Sequence, residues 1–145
     1  MATAVEPSRT DRSGTKVIIS GEADLLRVRA GLRSAAEQAG LRLTATTKLV
    51  TAGSELARNI LRYAVAGQGV VSIEEALGGT RSGVRAVFAD QGPGIADLDQ
   101  VMRDGFSTAG SLGIGLPGSR RLVDEFSIDS APGRGTTVVI SQWNR

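Results

Sequence analysis

The chain has 145 residues, of which 22% are charged and 41% hydrophobic, an ordinary globular composition with length enough to bury one sizeable core. A formal charge of +2, basic residues that are scattered rather than blocked, and 3% aromatic content argue against a nucleic-acid surface. With no cysteine and no histidine, disulfides, thiolate metal sites, phosphohistidine chemistry and the usual neutral-pH acid–base group are all excluded.

Residues 1–14 are polar, contain Pro7 and Ser8, and lack the apolar centre of a signal peptide, so a loose tail is expected before one domain over 15–145. No apolar run approaches the ~18 residues that span a bilayer, and the expected setting is cytoplasmic, away from membranes. Val17-Ile18-Ile19 reads as a short strand closed by Ser20-Gly21. From Ala23 to Ala39, apolar Leu25, Val28, Leu32, Ala35, Ala36 and Ala39 recur at spacings of three and four, which predicts a helix that Gly40 stops. A second helix is predicted from about Thr44 to Ala64, with Gly53 near its middle costing about 1 kcal/mol against alanine.

Val70–Leu77 and Val84–Ala89 then read as paired strands joined by a loop over Gly78–Gly83. A short helix is expected over Asp97–Arg103. The small and glycine residues from 104 to 112 predict a mobile stretch, so that 97–112 forms a lid ordered by ligand binding. Gly115–Val123 reads as a helix, Phe126–Asp129 as a strand, and Thr136–Gln142 as the last strand after the turn Ala131-Pro132-Gly133-Arg134-Gly135. This order predicts a two-layer α/β sandwich, a mixed, mostly antiparallel sheet with helices on one face.

Three pieces carry chemistry. Asp90 ends an apolar strand and opens Asp90-Gln91-Gly92-Pro93-Gly94-Ile95. A carboxylate there can accept the exocyclic amino group of adenine and disfavours the carbonyl that guanine presents at that edge. Gly92 and Gly94 let a flat base approach the main chain; the same pattern also suits a plain turn. Gly113-Ile114-Gly115-Leu116-Pro117-Gly118 gathers backbone N–H groups at a helix start, where the dipole favours phosphate. A dinucleotide fold does not fit, because no strand precedes these glycines and only 27 residues follow Gly118. An ordinary protein kinase does not fit either, because neither His-Arg-Asp nor Asp-Phe-Gly is present.

Glu55 and Asn59, four residues apart, share one face of the second predicted helix. An amide oxygen at Asn59 suits a magnesium ion shared with phosphates, and Glu55 can deprotonate an incoming hydroxyl. Glu55 can equally belong to a solvated face paired with Arg58 and Arg62.

The joint spacing is more specific than any part. Glu-x-x-x-Asn on a helix, strand-Asp-x-Gly-x-Gly, a mobile stretch and Gly-x-Gly-x-x-Gly at a helix start resemble the Bergerat (GHKL) ATP-binding fold of gyrases, heat-shock chaperones, histidine kinases and MutL. The resemblance spans Val17 to Trp143. It implies ATP and magnesium (Mg2+) as cofactors and Glu55 as the catalytic base. Asn59 becomes the metal ligand and, with Asp90, Gly92, Gly94 and Ile95, part of the nucleotide site. Gly113, Ile114, Gly115, Leu116 and Gly118 complete the phosphate loop, and Thr136, in Gly135-Thr136-Thr137-Val138, lies near adenine.

Within that family, Ser54-Glu55-Leu56-Ala57-Arg58-Asn59-Ile60, Asp104-Gly105-Phe106-Ser107-Thr108 and Pro132-Gly133-Arg134-Gly135-Thr136-Thr137 resemble the small bacterial serine/threonine switch kinases of the stressosome and anti-sigma-factor group. That branch implies a STAS-domain antagonist as protein substrate and a PP2C-type phosphatase as second partner, with no nucleic acid. The alternative within the branch is an anti-sigma factor that sequesters a sigma factor.

Overall fold

A computed structural model describes residues 14–92, 94, 102 and 115–144. The expected helix over 97–103 and the lid over 97–112 lie, apart from Met102, outside the described residues, as do residues 1–13 of the expected tail. The elements run β1 (Gly14–Ile19), α1 (Ala23–Ala39), α2 (Leu43–Tyr63), β2 (Gly69–Gly78), β3 (Arg81–Asp90), α3 (Gly115–Leu122), β4 (Glu125–Ser130) and β5 (Thr136–Trp143). The sheet order is β1-β2-β3-β5-β4. Every strand pairing among the described residues is antiparallel, in keeping with the mostly antiparallel sheet expected and without the parallel pair that a mixed sheet would add. Two hairpins, β2–β3 and β4–β5, account for this: the second inserts its later strand next to β3, so the long connection between them never has to create a parallel pair.

Alternation along the strands sends Val17 and Ile19, Val71 and Ile73, Val84, Ala86 and Phe88, and Val138 and Ile140 to one face, where all are buried. Leu25, Val28, Leu32 and Ala36 of α1 and Leu49, Ala52, Leu56 and Ile60 of α2 cover that face. On the opposite face Ile18 and Val70 stand directly across from each other and are exposed. α1 ends as its sequence predicts: Gly40 adopts φ 77°, and the N–H groups of Gly40 and Leu41 donate to the carbonyls of Glu37 and Ala36.

Gly53 has a packing reason that outweighs its helix propensity. A Cβ there would fall on the buried Leu32 side chain and 3.4 Å from the Phe88 ring, so its absence lets α1 close onto α2. The β2–β3 loop is also shorter than expected, only Gly79-Thr80, with Gly78 paired to Arg81 and Gly79 at φ 64°. Gly78 and Gly83 belong to strands instead, because Trp143 lies against both; Cβ atoms there would approach its ring to 3.0 and 2.9 Å. Arg81 caps the same ring at 4.6 Å.

The start of α1 carries a pH-sensitive contact. Asp24 Oδ2 accepts the N–H groups of Ser20 (2.9 Å) and Gly21 (3.1 Å) and the Ser20 hydroxyl (3.3 Å). The Ser20 N–H bond is the largest cause holding the Asp24 pKa below its ordinary value. The Gly21 and Ser20 hydroxyl bonds and Arg27 at 3.8 Å add to it. A depressed folded-state pKa stabilises the fold above the ordinary carboxylate range, and the contribution disappears as pH falls through the lowered value. Urea unfolding of wild type and Asp24→Asn should therefore show a constant stability difference from neutral pH down to about pH 5 and a shrinking one below about pH 4. A pH-independent difference would show that the carboxylate charge is not what stabilises the turn.

Candidate functional site

α2 turns a broad face inward because the sheet lies on one side of it and α1 and α3 pack beside it. Glu55 falls within that buried face at 4% exposure, and its Oε2 has no hydrogen-bond partner among the described residues. Its Oε1 lies 3.5 Å from Arg58 Nη1, one turn further along and partly exposed. A solvated helix face is therefore ruled out for Glu55, although its pairing with Arg58 is found. Asn59 follows on the next turn and is half-buried.

The other half of the site forms at one end of the sheet. Asp90 is the last residue of β3, opposite Gly69 of β2 and Thr136 of β5, on the helix-covered face shared with Phe88 and Ala86. Asp90 Oδ1 accepts the N–H of Gly92 at 2.7 Å, which fixes the carboxylate at the mouth of the first glycine loop. Thr136 Oγ1 is tied to Ser130 Oγ at 2.8 Å, and Ser130 Oγ also donates to the Gly135 carbonyl at 2.9 Å.

Glycines decide how closely these parts meet. A Cβ on Gly135 (φ 78°) would strike the Asp90 carbonyl oxygen and lie 3.1 Å from Gln91 Cα. One on Gly94 (φ 81°) would strike the Ala131 carbonyl. One on Gly92 would lie 2.9 Å from Ala64 Cα and 3.0 Å from the Tyr63 carbonyl, at the C-terminal end of α2. Gly69 is equally tight, with a Cβ meeting the Ala89 carbonyl at 2.6 Å and Ile60 at 2.8 Å. The chain after β3 is thus pressed onto the end of α2, one helical turn beyond Asn59.

Of the second glycine motif, Gly115, Leu116 and Gly118 are described, and Gly113, Ile114 and also Ile95 lie outside the described residues. Gly115 opens α3 at φ 70° and offers its carbonyl to Ser119 Oγ at 3.0 Å. Gly118 and Ser119 are buried where α3 packs on α2, so this helix start is anchored to the helix that carries Glu55 and Asn59. Sequence reasoning assigned no site role to Gly69 or Ser130, and it paired Arg58 with Glu55 as a salt-bridge partner. Gly135 was noticed only as the neighbour of Thr136. Its signal was a glycine immediately before a strand, but the obstacle that requires it, the Asp90 carbonyl, is 45 positions away.

Among the described residues no three acidic, cysteine or histidine side chains gather to hold a metal, and no helix is long and apolar enough to cross a membrane. Residues 44–144 match the family model described as histidine kinase-, DNA gyrase B- and HSP90-like ATPase. The chain is 44% identical over 129 residues to the serine/threonine-protein kinase RsbT of Bacillus subtilis, covering 89% of this chain and 96% of that protein. It is 27% identical over 97 residues to an anti-sigma F factor of Thermoanaerobacter sp. (strain X514), covering 64% of this chain and 66% of that one. Among solved structures, a Mycobacterium tuberculosis protein with RsbU and RsbW domains matches at TM-score 0.58 and 25% identity, over 88% of this chain and 31% of that one. The mycobacterial sensor histidine kinase MprB shares the fold at TM-score 0.54 and 18% identity, over 90% of this chain and 97% of its own.

Proposed function

Because this chain belongs to the family of histidine kinase-, DNA gyrase B- and HSP90-like ATPases, we propose that it is a partner-switching serine/threonine kinase that phosphorylates a STAS-domain antagonist and also binds a PP2C-type phosphatase. The observation that carries the catalytic part is Glu55. A buried carboxylate oxygen without a hydrogen bond is costly, and a scaffold that merely held ATP would have no use for it. A base awaiting a substrate hydroxyl accounts for it.

The residues present fit a nucleotide. Asp90, held by Gly92 and paired across the ladder with Thr136, offers a carboxylate acceptor at the end of the sheet. In this reading Asp90 selects adenine and Thr136 lies beside it. Backbone N–H groups of residues 113–116 and 118, at the start of α3, steady the phosphates. Asn59 supplies one amide oxygen to magnesium. The ion's remaining ligands would be phosphate oxygens and water, as is usual for a magnesium ion shared with a nucleotide. ATP supplies the transferable phosphoryl group, and magnesium offsets its charge. Phosphoryl transfer depends mainly on positioning and charge neutralisation, so one base suffices on the protein side.

Transfer of labelled γ-phosphate to a serine or threonine of a STAS-domain protein tests the proposal, and absence of transfer to such acceptors would refute the substrate assignment. Asp90→Asn should weaken ATP binding by ~1.5–3 kcal/mol through loss of a charged hydrogen bond. Titration with a fluorescent ATP analogue measures this, and unchanged affinity would remove Asp90 from the adenine contact. The similarity to an anti-sigma F factor supports a second reading, in which the chain sequesters a sigma factor. Pull-downs against a sigma factor, a STAS protein and a PP2C phosphatase separate the two.

A further inference from the structure

The Glu55–Arg58 pair is lopsided. Glu55 has a side chain 5% exposed, Arg58 one 37% exposed, and they meet through a single nitrogen and a single oxygen at 3.5 Å. That separation is too long for a firm hydrogen bond, and the second carboxylate oxygen is buried without a partner among the described residues. Arg58 has no other ion pair or hydrogen bond among the described residues. A purely structural bridge would be bidentate or would tie down the remaining oxygen, since a buried charge is tolerated only when compensated.

We propose that Arg58 is a positioning residue for the phosphoryl-transfer step: it offsets the charge of buried Glu55 and draws the carboxylate by Oε1, so that Oε2 is left without a competing partner for the acceptor hydroxyl. This rests on the reading of Glu55 as the base. As the hydroxyl oxygen forms its bond to the γ-phosphorus and the bond to ADP breaks, the hydroxyl proton passes to Oε2. Neutral Glu55 then no longer attracts the guanidinium, so the bridge belongs to the state ready to react. Arg58 touches neither the reacting oxygen nor the phosphorus in this scheme and acts only through Glu55.

The test uses the full chain as wild type, Arg58→Ala, Arg58→Lys, Glu55→Gln and the double variant Glu55→Gln/Arg58→Ala. Two measurements are made: γ-phosphate transfer from Mg-ATP to a STAS-domain protein, and thermal unfolding without nucleotide. Arg58→Ala should lower kcat about tenfold with KM for ATP unchanged, because the base is misplaced rather than the nucleotide. Arg58→Lys should recover part of the loss. The double variant should be no slower than Glu55→Gln alone, the non-additivity expected of residues acting as a unit. In unfolding, Arg58→Ala should lower Tm in the wild-type background, where it strands a buried charge, and not in the Glu55→Gln background.

A raised KM with intact kcat, losses that multiply in the double variant, or an equal fall in Tm in both backgrounds would each overturn the role of Arg58. Full transfer by Glu55→Gln would instead remove the base assignment. Loss of transfer in Glu55→Gln with full transfer in Arg58→Ala would overturn the Arg58 proposal alone.

Discussion

Gly135→Ala should cost this protein about 2–5 kcal/mol of stability, the sum of a left-handed backbone forced on an L-residue and an overpacked contact. The same substitution should abolish measurable nucleotide binding. The new methyl would strike the Asp90 carbonyl oxygen and crowd Gln91 Cα, and both obstacles are main chain, which cannot rotate aside. Relief requires β5 and the end of β3 to separate. That breaks the register of Asp90 with Thr136 and moves the carboxylate from its place at the end of the sheet.

Gly133 provides the control. It sits in the same turn at φ 81°, yet nothing lies within 4 Å of a Cβ built there. Gly133→Ala should therefore lose only the conformational part, about 1–2 kcal/mol, and should still bind ATP. Urea unfolding and nucleotide titration of the two variants measure the difference. Equal losses in both would show that the close approach of Gly135 to Asp90 has no energetic weight.

Glu55→Gln should reduce phosphoryl transfer by about 10²–10⁴-fold, the usual range for loss of a positioned general base. ATP affinity should hold, because the side chain is assigned to the acceptor hydroxyl and not to the nucleotide. Stability should not fall, since a buried carboxylate with an unpartnered oxygen gives way to a neutral group of the same shape. Lower activity with unchanged or raised Tm is the signature of a residue retained for chemistry against stability. A sharp fall in Tm with proportionate loss of activity would assign Glu55 to the architecture instead.

Helices and strands were legible because their signals are local. Spacings of three and four along 23–39, a stopping glycine at 40 and alternation along 84–89 each lie within a short window, and the corresponding elements appear at Ala23–Ala39 and Arg81–Asp90. The errors came from residues whose reason is distant. Gly78 and Gly83 read as loop because glycine is a turn former, yet they are strand residues cleared for Trp143. Gly53 read as a helix liability, yet it is where Leu32 seats.

By itself the sequence determined the element types, the one-sided burial of the sheet and the two glycine motifs with their helix partner, since these depend on period, turn chemistry and spacing along the chain. Only the tertiary structure decided that every strand pair among the described residues is antiparallel and that Asp90 faces Thr136. It likewise decided that Glu55 is buried with one oxygen unpartnered and that Arg58 lies 3.5 Å from the other. Those are distances between atoms remote in sequence or turned onto a particular helix face. Packing sets them: the exclusion of a single methyl group at Gly135, Gly92 and Gly69 is what lets the end of the sheet close against the end of α2.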